Sequence, residues 1–381
     1  MKDNFTVTFF SNFLLHHQTP FCEAMLKRIG DRFRFVATEP VPQDRLDMGY
    51  KNLEDAQYAV NAHRDHESYD EAMRLGYESD VVIIGSAPDV FIEKRLADNK
   101  LTFRYYERFF KKFRWRFHPL AWKQHYKQDI RYRKKNLYML CASAYTAPDC
   151  RFIHAYPNKT YKWGYFPLVT QIPYEDIRKI KAQNKIIRII WVSRFIKLKH
   201  PEEIIKLAKQ LKKDDLRFQI EMLGIGELRE RYEQIVEEEN LSDVITFSGP
   251  FSPPDVLEHM QQSDIFLFTS DRNEGWGAVM NESMSSACAV VACREIGSVP
   301  YLIEHGVNGF IYDKHGRNSL YSHVKRLIED KDLREKLQRN AYDTMKNVWN
   351  AAAATDRLLH LIDCIQKGTE IGYTSGPCSR D

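Results

Sequence analysis

The stretch Asp264–Glu295, DIFLFTSDRNEGWGAVMNESMSSACAVVACRE, decides how the rest of the chain is interpreted. It opens with an apolar run, Ile265–Phe268, which predicts a short buried strand. Polar residues end the run, a helix of small residues is predicted over Ala278–Ala287, and a second apolar run follows at Ala289–Cys293. A strand, a loop, a helix and another strand in this order are typical of an open parallel α/β sheet.

The loop between the first strand and the helix carries residues that could hold one ligand at three points. Gly275 and Gly277 let the backbone approach a ligand, and the helix start beside them offers free N–H groups to an anion. Glu274 precedes the glycines and Glu282 lies eight residues later, and the helical part of that gap spans roughly 9 Å at about 1.5 Å per residue. A ligand could bind the two glutamates through its hydroxyl groups and the helix start through a diphosphate between them. A nucleotide-sugar has its groups in that order. The simpler alternative is a solvated loop carboxylate and a surface helix glutamate.

Two cations follow another predicted strand, Ile186–Val192. Arg194 and Lys199 lie in the loop between this strand and a helix that begins at Pro201. The carboxyl ends of parallel strands meet at one edge of the sheet, which is where open α/β sheets bind ligands. Two cations there would neutralise a diphosphate, with the arginine supplying a two-pronged fork. The alternative is a pair of exposed basic residues that bind nothing.

The composition predicts two packed domains without a metal site. The chain has 381 residues, of which 43% are hydrophobic, and a net charge of +4 that is too small to indicate a partner. The seven cysteines form no C-x2-C pair, which predicts reduced thiols in a cytosolic setting. No apolar run approaches the roughly 18 residues of a membrane-spanning helix. The D-x-D at Asp330–Asp332 is interpreted as a solvated helix start.

The beginning of the chain repeats the pattern of strand, loop and helix. Phe5–Phe10 is the predicted strand, and Thr19 is the predicted N-cap of the helix that follows. The loop between them therefore lies at the carboxyl edge of a sheet, and its polar side chains include those of Asn12, His16, His17 and Gln18. We predict that His17 acts in an acceptor site or as an acid–base residue. The alternative is a solvated loop histidine.

Residues 103–138 are unusually basic and aromatic. They hold twelve Lys or Arg residues and twelve aromatic residues, but only two acidic residues, Glu107 and Asp129. Basic residues attract anionic lipid headgroups and aromatic rings settle at membrane interfaces, whereas nucleic acids also favour basic and stacking side chains. Beside motifs for a nucleotide-sugar, an anionic membrane surface is the better interpretation, and we expect no nucleic acid partner. The alternative is a pair of surface helices that bury their aromatic face.

The segment Glu274–Gly277 together with Glu282 resembles the Glu-x7-Glu motif of retaining glycosyltransferase family 4. Trp276 stands where phenylalanine is common, and Ser283 stands where alanine is common. The resemblance implies that Glu274 contacts the donor sugar and that Glu282 contacts the ribose of the nucleotide. It also implies that the Gly-Trp-Gly residues between them belong to the donor site.

Other segments extend this resemblance. Arg194 and Lys199 match the family's G-R-x4-K segment, which implies that they hold the diphosphate of the donor. The turn at Gly224 matches a G-x-G turn that lies near the base in the family. Phe251 follows the next predicted strand, and its position would place it against the base. In the family, the region near Glu107-Arg108 lies by the cleft, which makes both residues predicted acceptor contacts.

The resemblance implies the GT-B fold, in which two Rossmann-like α/β domains face each other across a cleft. We expect an acceptor domain at residues 1–167, a linker at 168–185 and a nucleotide-sugar domain at 186–348. A C-terminal helix at 349–367 would cross back to the first domain. A flexible tail would occupy residues 368–381.

The activity implied is sugar transfer from a nucleoside-diphosphate sugar to a hydroxyl of a glycan or lipid-linked acceptor, with retention of configuration. We expect a UDP-sugar as the donor and neither a cofactor nor a metal ion. By analogy, the setting is polysaccharide or lipopolysaccharide synthesis, with a cytoplasmic enzyme held peripherally on the inner face of the cell membrane. Two alternatives stay open: a nucleotide-sugar 2-epimerase of the same architecture, and a non-catalytic protein that binds membranes or nucleic acids.

Overall fold

A computed structural model describes residues 5–43, 46, 52–314 and 319–381. The chain divides into two compact units. The first unit comprises Met1–Leu168 together with Trp349–Asp381, and the second unit comprises Val169–Val348. Each unit is an α/β domain built around one parallel sheet, as the apolar runs predict.

The first unit contains seven described strands. They are β1 Val7–Ser11, β2 Phe33–Ala37, β3 Ala59–Asn61, β4 Val81–Ile84, β5 Thr102–Tyr106, β6 Leu137–Cys141 and β7 Thr160–Lys162. Their order in the sheet is β3-β2-β1-β4-β5-β6-β7, and every neighbouring pair is parallel. All residues of β1 and β4 are buried, because a parallel sheet is covered on both faces. The chain order reverses between β1 and β4, and ligands bind at such switch points.

Helices cover the sheet of the first unit. They are α1 Thr19–Ile29, α2 His66–Glu78, α3 Glu93–Ala97, α4 Pro119–Gln128 and α5 Thr146–Phe152. The last helix of the chain, α14 Ala351–Lys367, also belongs to this unit. The helix α1 begins one residue earlier than predicted, because Gln18 rather than Thr19 is its N-cap. Its C-cap is Gly30, whose φ of 62° lies in the left-handed region that favours glycine. The helix α14 packs along α1, and Arg28 pairs with Asp356 at 2.9 Å.

The tail at 368–381 is predicted to be flexible, but the structure fixes its end against β7. The N–H of Lys162 donates to the carbonyl of Ser379 at 2.8 Å, and the N–H of Cys378 donates to the carbonyl of Lys162 at 2.7 Å. Both Cys378 and Ser379 are fully buried. Composition gave no sign of this pairing, because it uses backbone groups that every residue carries.

The second unit contains six described strands. They are β8 Ile187–Val192, β9 Phe218–Leu223, β10 Ile245–Ser248, β11 Ile265–Phe268, β12 Ala289–Cys293 and β13 Phe310–Tyr312. Their order is β10-β9-β8-β11-β12-β13, again with parallel neighbours. The strands β11 and β12 have the bounds that their apolar runs predict, because all their residues are buried. The chain order reverses between β8 and β11.

Helices also flank the second sheet. They are α6 Tyr174–Lys181, α7 Glu202–Lys213, α8 Arg229–Glu238, α9 Pro253–Gln262, α10 Val279–Ser285, α11 Val299–Leu302, α12 Leu320–Glu329 and α13 Lys331–Asn347. The helix predicted at Ala278–Ala287 is shorter in the structure, and Ala287 beyond its end has a φ of 52°. As predicted for the D-x-D, Asp330 is a helix N-cap, and its carboxylate accepts the N–H of Leu333 at 2.9 Å.

The predicted linker at 168–185 contains the helix α6. Tyr174 and Ile177 of this helix are buried with Ala287 and Tyr342. Part of the expected linker is therefore packed into the second unit. Among the described residues, no helix is both long enough and apolar enough to cross a membrane.

Candidate active site

Four loops of the second unit meet at the carboxyl edge of its sheet. The strands β8 and β11 are neighbours, and β9 and β10 follow on the other side of β8. The loop after β8 carries Arg194 and Lys199, and the loop after β11 carries Glu274. Because the chain order reverses between β8 and β11, these predicted residues lie at a switch point where α/β sheets bind ligands.

Lys199 and Glu274, predicted from separate motifs, form an ion pair. Their side chains are only 13% and 14% exposed, so the pair is largely shielded from water. The carbonyl of Lys199 accepts the hydroxyl of Thr269 at 2.6 Å, and the N–H of Asp271 donates to the carbonyl of Leu198 at 3.0 Å. The loops after β8 and β11 are therefore held together by both backbone and side-chain contacts.

His200 strengthens this connection. Its φ of 51° lies in the left-handed region, where a residue other than glycine is uncommon. One ring nitrogen contacts a carboxylate oxygen of Glu202 at 2.7 Å, and the other contacts a carboxylate oxygen of Asp271 at 3.1 Å. The residue next to Lys199 therefore links the loop after β8 to Asp271 in the loop after β11.

Arg194 is exposed in the loop after β8, and the Gly224–Gly226 turn supports that loop. The N–H of Phe195 donates to the carbonyl of Ile225 at 2.8 Å. A Cβ atom on Gly224 would lie 2.0 Å from the carbonyl oxygen of Ser193, and the φ of this glycine is +146°. The glycine is therefore required by the close approach of two backbones, while its predicted contact with the base stays a prediction.

Phe251 lies in the loop after β10 and is 39% exposed, with its ring packed on His259 at a centroid distance of 4.5 Å. The loops after β9 and β10 are joined by Arg229, which sequence reasoning missed. Its guanidinium donates to the carbonyls of Gly224 at 2.8 Å and of Gly249 at 3.0 Å. In the sequence, Arg229 looks like one more charge in a charged helix, so no local signal identifies it.

The Gly-Trp-Gly segment packs inward more than predicted. The Trp276 side chain is fully buried, and its indole N–H donates to Asn281 at 2.9 Å. The indole is therefore enclosed by the protein, and a donor contact through the backbone of Trp276 stays a prediction. Gly277 has a φ of +78°, and a Cβ atom on it would lie 2.3 Å from the ring of Phe268. Gly275, between Glu274 and the tryptophan, is buried.

The helix α10 that follows has seven residues, so few peptide dipoles align along it. Positive charge for a diphosphate would therefore have to come mainly from Arg194 and Lys199, whose role stays a prediction. Glu282 lies in α10 and is partly buried. Burial raises the pKa of Glu282 to about 7. A carboxyl group with such a pKa can both donate and accept hydrogen bonds near neutral pH, which suits a hydroxyl-bearing ligand.

The first unit contains a cavity of about 680 Å³, here called the first-unit cavity. Four of the five residues predicted for the acceptor side line it, namely His17, Gln18, Glu107 and Arg108. The fifth, His16, lies beside His17 with ring centroids 3.7 Å apart. The lining also includes residues that follow β1, β5 and β7, so the cavity lies at the carboxyl edge of the sheet.

Glu107 is the centre of a hydrogen-bond network in this cavity. One carboxylate oxygen accepts the hydroxyl of Tyr165 at 2.7 Å, and the other pairs with Lys111 at 2.6 Å. Burial raises the pKa of Tyr165, so its hydroxyl keeps its proton and acts as the donor. The Tyr165 ring stacks on His17 with centroids 6.2 Å apart. The network places a carboxylate beside aromatic surface, which suits a polar ligand with a flat face.

Two other predicted acceptor residues have structural contacts. The side-chain oxygen of Gln18 accepts the N–H of Leu15 at 2.9 Å and so holds the loop before α1. Arg108 is 8% exposed, and its guanidinium lies 4.4 Å from the centroid of the Tyr145 ring. Direct contact of either residue with an acceptor stays a prediction.

Residues 174–344 match the family model described as "Glycosyl transferases group 1". The matched segment, here called the group 1 domain, lies within the second unit. The match begins at α6 and ends within α13, so it includes Arg194, Lys199, Glu274 and Glu282.

Relatives of this group 1 domain come from archaea and bacteria. The uncharacterized glycosyltransferase MJ1178 of Methanocaldococcus jannaschii is 29% identical over 157 residues, which cover 41% of this chain and 42% of that protein. The N-acetylgalactosamine-N,N'-diacetylbacillosaminyl-diphospho-undecaprenol 4-alpha-N-acetylgalactosaminyltransferase of Campylobacter jejuni is 26% identical over 174 residues, which cover 46% of each protein. The chain thus matches less than half the length of these curated relatives.

The structural likeness extends beyond the group 1 domain. Anabaena Alr3699/HepE, crystallised in complex with UDP, aligns with a TM-score of 0.69 and 14% sequence identity over 94% of this chain and 99% of that one. The same protein in complex with UDP-glucose aligns with a TM-score of 0.66. At this identity the likeness shows the fold, which is the predicted GT-B fold of two parallel-sheet α/β domains.

Proposed function

We propose that this protein transfers a sugar from a nucleoside-diphosphate sugar to a hydroxyl group of a glycan or lipid-linked acceptor. The observation that carries the proposal is the largely buried pairing of Lys199 with Glu274, at a switch point of the group 1 domain. A shielded cation beside a shielded acid suits a ligand with a charged diphosphate next to a hydroxyl-rich sugar. Roles for the individual residues follow from this chemistry.

When the donor binds, Lys199 and Glu274 would each contact the donor in place of one another. A diphosphate carries more negative charge than one carboxylate, so it would attract Lys199 and also Arg194 of the same loop. Glu274 would then accept hydrogen bonds from hydroxyl groups of the sugar. The loops after β8 and β11 are fixed before the ligand arrives, so little reorganisation would be needed when charge develops on the leaving diphosphate.

The donor's nucleoside would lie further along the same edge of the sheet. We propose Glu282 as the contact to the ribose, and the exposed ring of Phe251 with the Gly224 turn as the surface for the base. We propose UDP as the nucleotide, which the UDP complexes of the structural neighbours support. The configuration of the sugar would be retained. The two cations would neutralise the diphosphate, so the reaction would need neither a divalent metal ion nor a cofactor.

The acceptor would bind in the first-unit cavity. Glu107 lies there beside the aromatic rings of Tyr165 and His17, and sugars combine hydroxyl groups with flat apolar faces. His17 is the proposed acid–base residue of this side. A diphospho-undecaprenol acceptor in the name of one relative supports a lipid-linked acceptor, in polysaccharide or lipopolysaccharide synthesis. The enzyme would act in the cytoplasm, on the inner face of the cell membrane.

A thermal-shift screen of the full chain against nucleotides and nucleotide-sugars tests the donor assignment. We expect UDP and one or more UDP-sugars to raise the melting temperature, because a ligand that binds only the folded state stabilises it. Adenosine, without phosphate, serves as the control. No stabilisation by any nucleoside diphosphate would contradict the proposal.

Product analysis then separates transfer from epimerisation. The full chain is incubated with the stabilising UDP-sugar, with and without a mixture of lipid-linked glycan acceptors. Sugar transfer requires the acceptor and releases UDP, whereas a 2-epimerase would give a new sugar without an acceptor. A protein that only binds its ligands would give neither product.

A further inference from the structure

The surface of residues 112–127 in the first unit, here called the 112–127 face, is both apolar and cationic. Five large apolar side chains on it are between 36% and 69% exposed, namely Trp115, Phe117, Leu120, Trp122 and Tyr126. The exposed cations among them are Lys112, Arg114, Lys123 and Lys127. The sequence between Glu107 and Asp129 contains no acidic residue. Nothing within this face therefore neutralises its positive charge.

The inner side of the same segment is anchored by two buried carboxylates. Asp149 accepts the N–H of Phe109 at 3.0 Å and a guanidinium N–H of Arg116 at 3.1 Å. Asp129 contacts the ring of His125 at 2.9 Å and accepts the hydroxyl of Tyr156 at 2.5 Å. These acids bind cationic and polar groups that point inward. The outward apolar and cationic side chains are therefore presented on a fixed scaffold.

The helix α4 contributes little to the core of the first unit. Among its ten residues only Ala121 is buried. Leu120 and Tyr126 are 65% and 60% exposed on this helix, and Phe117, just before it, is 69% exposed. Side chains of this size normally gain about 2 kcal/mol or more from burial. The contacts of α4 within the protein thus leave its largest apolar groups in water, which marks an interaction surface.

We propose that the 112–127 face docks on the surface of an anionic lipid bilayer. Lysines and arginines would contact the headgroups, and the aromatic and leucine side chains would enter the boundary between headgroups and acyl chains. A nucleic acid would use the cations and could stack on the rings. However, it would gain little from Leu120, which is one of the most exposed side chains of the face. The combination favours lipid.

Docking would bring the first-unit cavity close to the membrane, an inference that rests on the proposed function. Lys112 and Trp115 belong to the 112–127 face and also line the cavity. An acceptor whose lipid remains in the bilayer could therefore reach Glu107 without leaving the membrane. The substrate class that fits is an amphiphile with an apolar anchor and a hydroxyl-bearing head, rather than a free sugar in solution.

Vesicle flotation with the full chain tests the docking. Wild-type protein is mixed with vesicles of phosphatidylcholine alone or of phosphatidylcholine with phosphatidylglycerol, in the absence of any nucleotide. We expect flotation with the anionic vesicles only, together with a blue shift of tryptophan fluorescence as Trp115 leaves water. No flotation with anionic vesicles would overturn the proposal, as would tighter binding to single-stranded RNA than to the vesicles.

Two variants separate the apolar and electrostatic contributions. The pair Phe117→Ser and Leu120→Ser should abolish flotation and the fluorescence shift. The pair Lys123→Gln and Lys127→Gln should weaken binding about fivefold per lysine, an effect that high salt also reproduces. All four side chains are exposed, so the fold should persist. Unchanged flotation of both variants would overturn the proposal.

Matched control variants replace lysine and apolar side chains that are exposed outside the 112–127 face. Lys213 and Lys336 are exposed in the second unit, and Val90 is 45% exposed in the first unit. The variants Lys213→Gln with Lys336→Gln, and Val90→Ser, should float like wild type. UDP stabilisation should be equal in all variants, because it depends on the second unit. Loss of UDP stabilisation in wild type would count against the proposed function alone, whereas loss of flotation counts against docking alone.

Discussion

Lys199 and Glu274 form an ion pair that joins the loops after two adjacent strands of the group 1 domain. The residue next to the lysine, His200, contacts Asp271 in the loop of the glutamate. Removing one partner from a buried pair leaves an uncompensated charge, so each substitution affects both ligand binding and stability. Tests of this pair must therefore separate the two effects.

The first prediction concerns the cations of the site. Lys199→Met should lower turnover about tenfold or more, because the developing charge of the leaving diphosphate loses a fixed donor. Arg194→Ala should have a similar effect on turnover with a smaller effect on stability, because Arg194 is exposed. Lys197→Met, in the same loop and exposed, is the matched control. Turnover is measured as UDP release, and the melting temperature is measured on the same samples.

An unchanged rate in both the Lys199 and Arg194 variants would remove them from the diphosphate site. If Lys199→Met loses activity only in proportion to its loss of folded protein, the ion pair is structural. Glu274→Gln helps to distinguish these cases, because it removes the charge of the acid while keeping its shape. It should reduce turnover while leaving the affinity for free UDP intact.

The second prediction concerns Glu282 and the nucleotide. Glu282→Ala should weaken the binding of free UDP about tenfold, because a buried ribose hydroxyl would lose its hydrogen-bond partner. Calorimetry with UDP, without any sugar donor, measures this directly. Glu295→Ala, an exposed carboxylate at the end of β12, is the control and should bind UDP normally. Equal affinities in the two variants would exclude the ribose contact.

The strands of the second unit were predictable because a parallel sheet buries both faces of its central strands. Ile265–Phe268 and Ala289–Cys293 are therefore continuous apolar runs, and their bounds in the sequence and structure agree. Lys199 and Glu274 follow two such predicted strands, so the sequence alone also predicts that they lie at one edge of the sheet. Their direct pairing could not be predicted, because it depends on the register of two strands far apart in the chain.

Features that depend on distant or backbone contacts gave no local signal. Trp276 is predicted to belong to the donor site, but its indole is buried in the core and donates to Asn281. Arg229 binds two carbonyls of separate loops, which no spacing reveals. The end of the tail pairs with β7 through backbone groups, so its Gly and Ser content was misleading.

The third prediction concerns Gly277. Its φ of +78° and the 2.3 Å that would separate a Cβ atom from the ring of Phe268 both oppose any side chain. Gly277→Ala should therefore cost about 2 kcal/mol or more of the free energy of unfolding. Gly372→Ala is the control, because nothing lies within 4 Å of its Cβ position. Denaturant unfolding of both variants provides the comparison.

Shortening the neighbouring side chain gives a second check of the same contact. Phe268→Leu in the Gly277→Ala background should recover part of the lost stability, because the ring atom that meets the Cβ is removed. Full stability of the single Gly277→Ala variant would show that the loop after β11 can relax. In that case the close packing of this loop would not be what requires glycine.

The fourth prediction concerns the acid side of the stability profile. His323 on α12 is 8% exposed, and its ring stacks on Phe310 with centroids 4.5 Å apart. The His305 ring lies 5.3 Å away, and Arg326 on the same helix adds a positive charge nearby. Burial, followed by the charges of His305 and Arg326, lowers the pKa of His323 to about 4. The folded protein therefore keeps this ring neutral.

The direction of the pH effect follows from this lowered pKa. Between pH 6.5 and pH 4 the unfolded chain binds a proton at His323 and the folded chain does not, so acid favours unfolding. The contribution is fully present above pH 6.5, and up to about 3 kcal/mol is lost as the pH falls to 4. His323→Phe keeps the stacking and should flatten this part of the profile, whereas His66→Gln on an exposed helix position should not. Denaturant titrations at several pH values measure the free energy of unfolding. If that free energy depends on pH identically in wild type and His323→Phe, the acid sensitivity belongs to other groups.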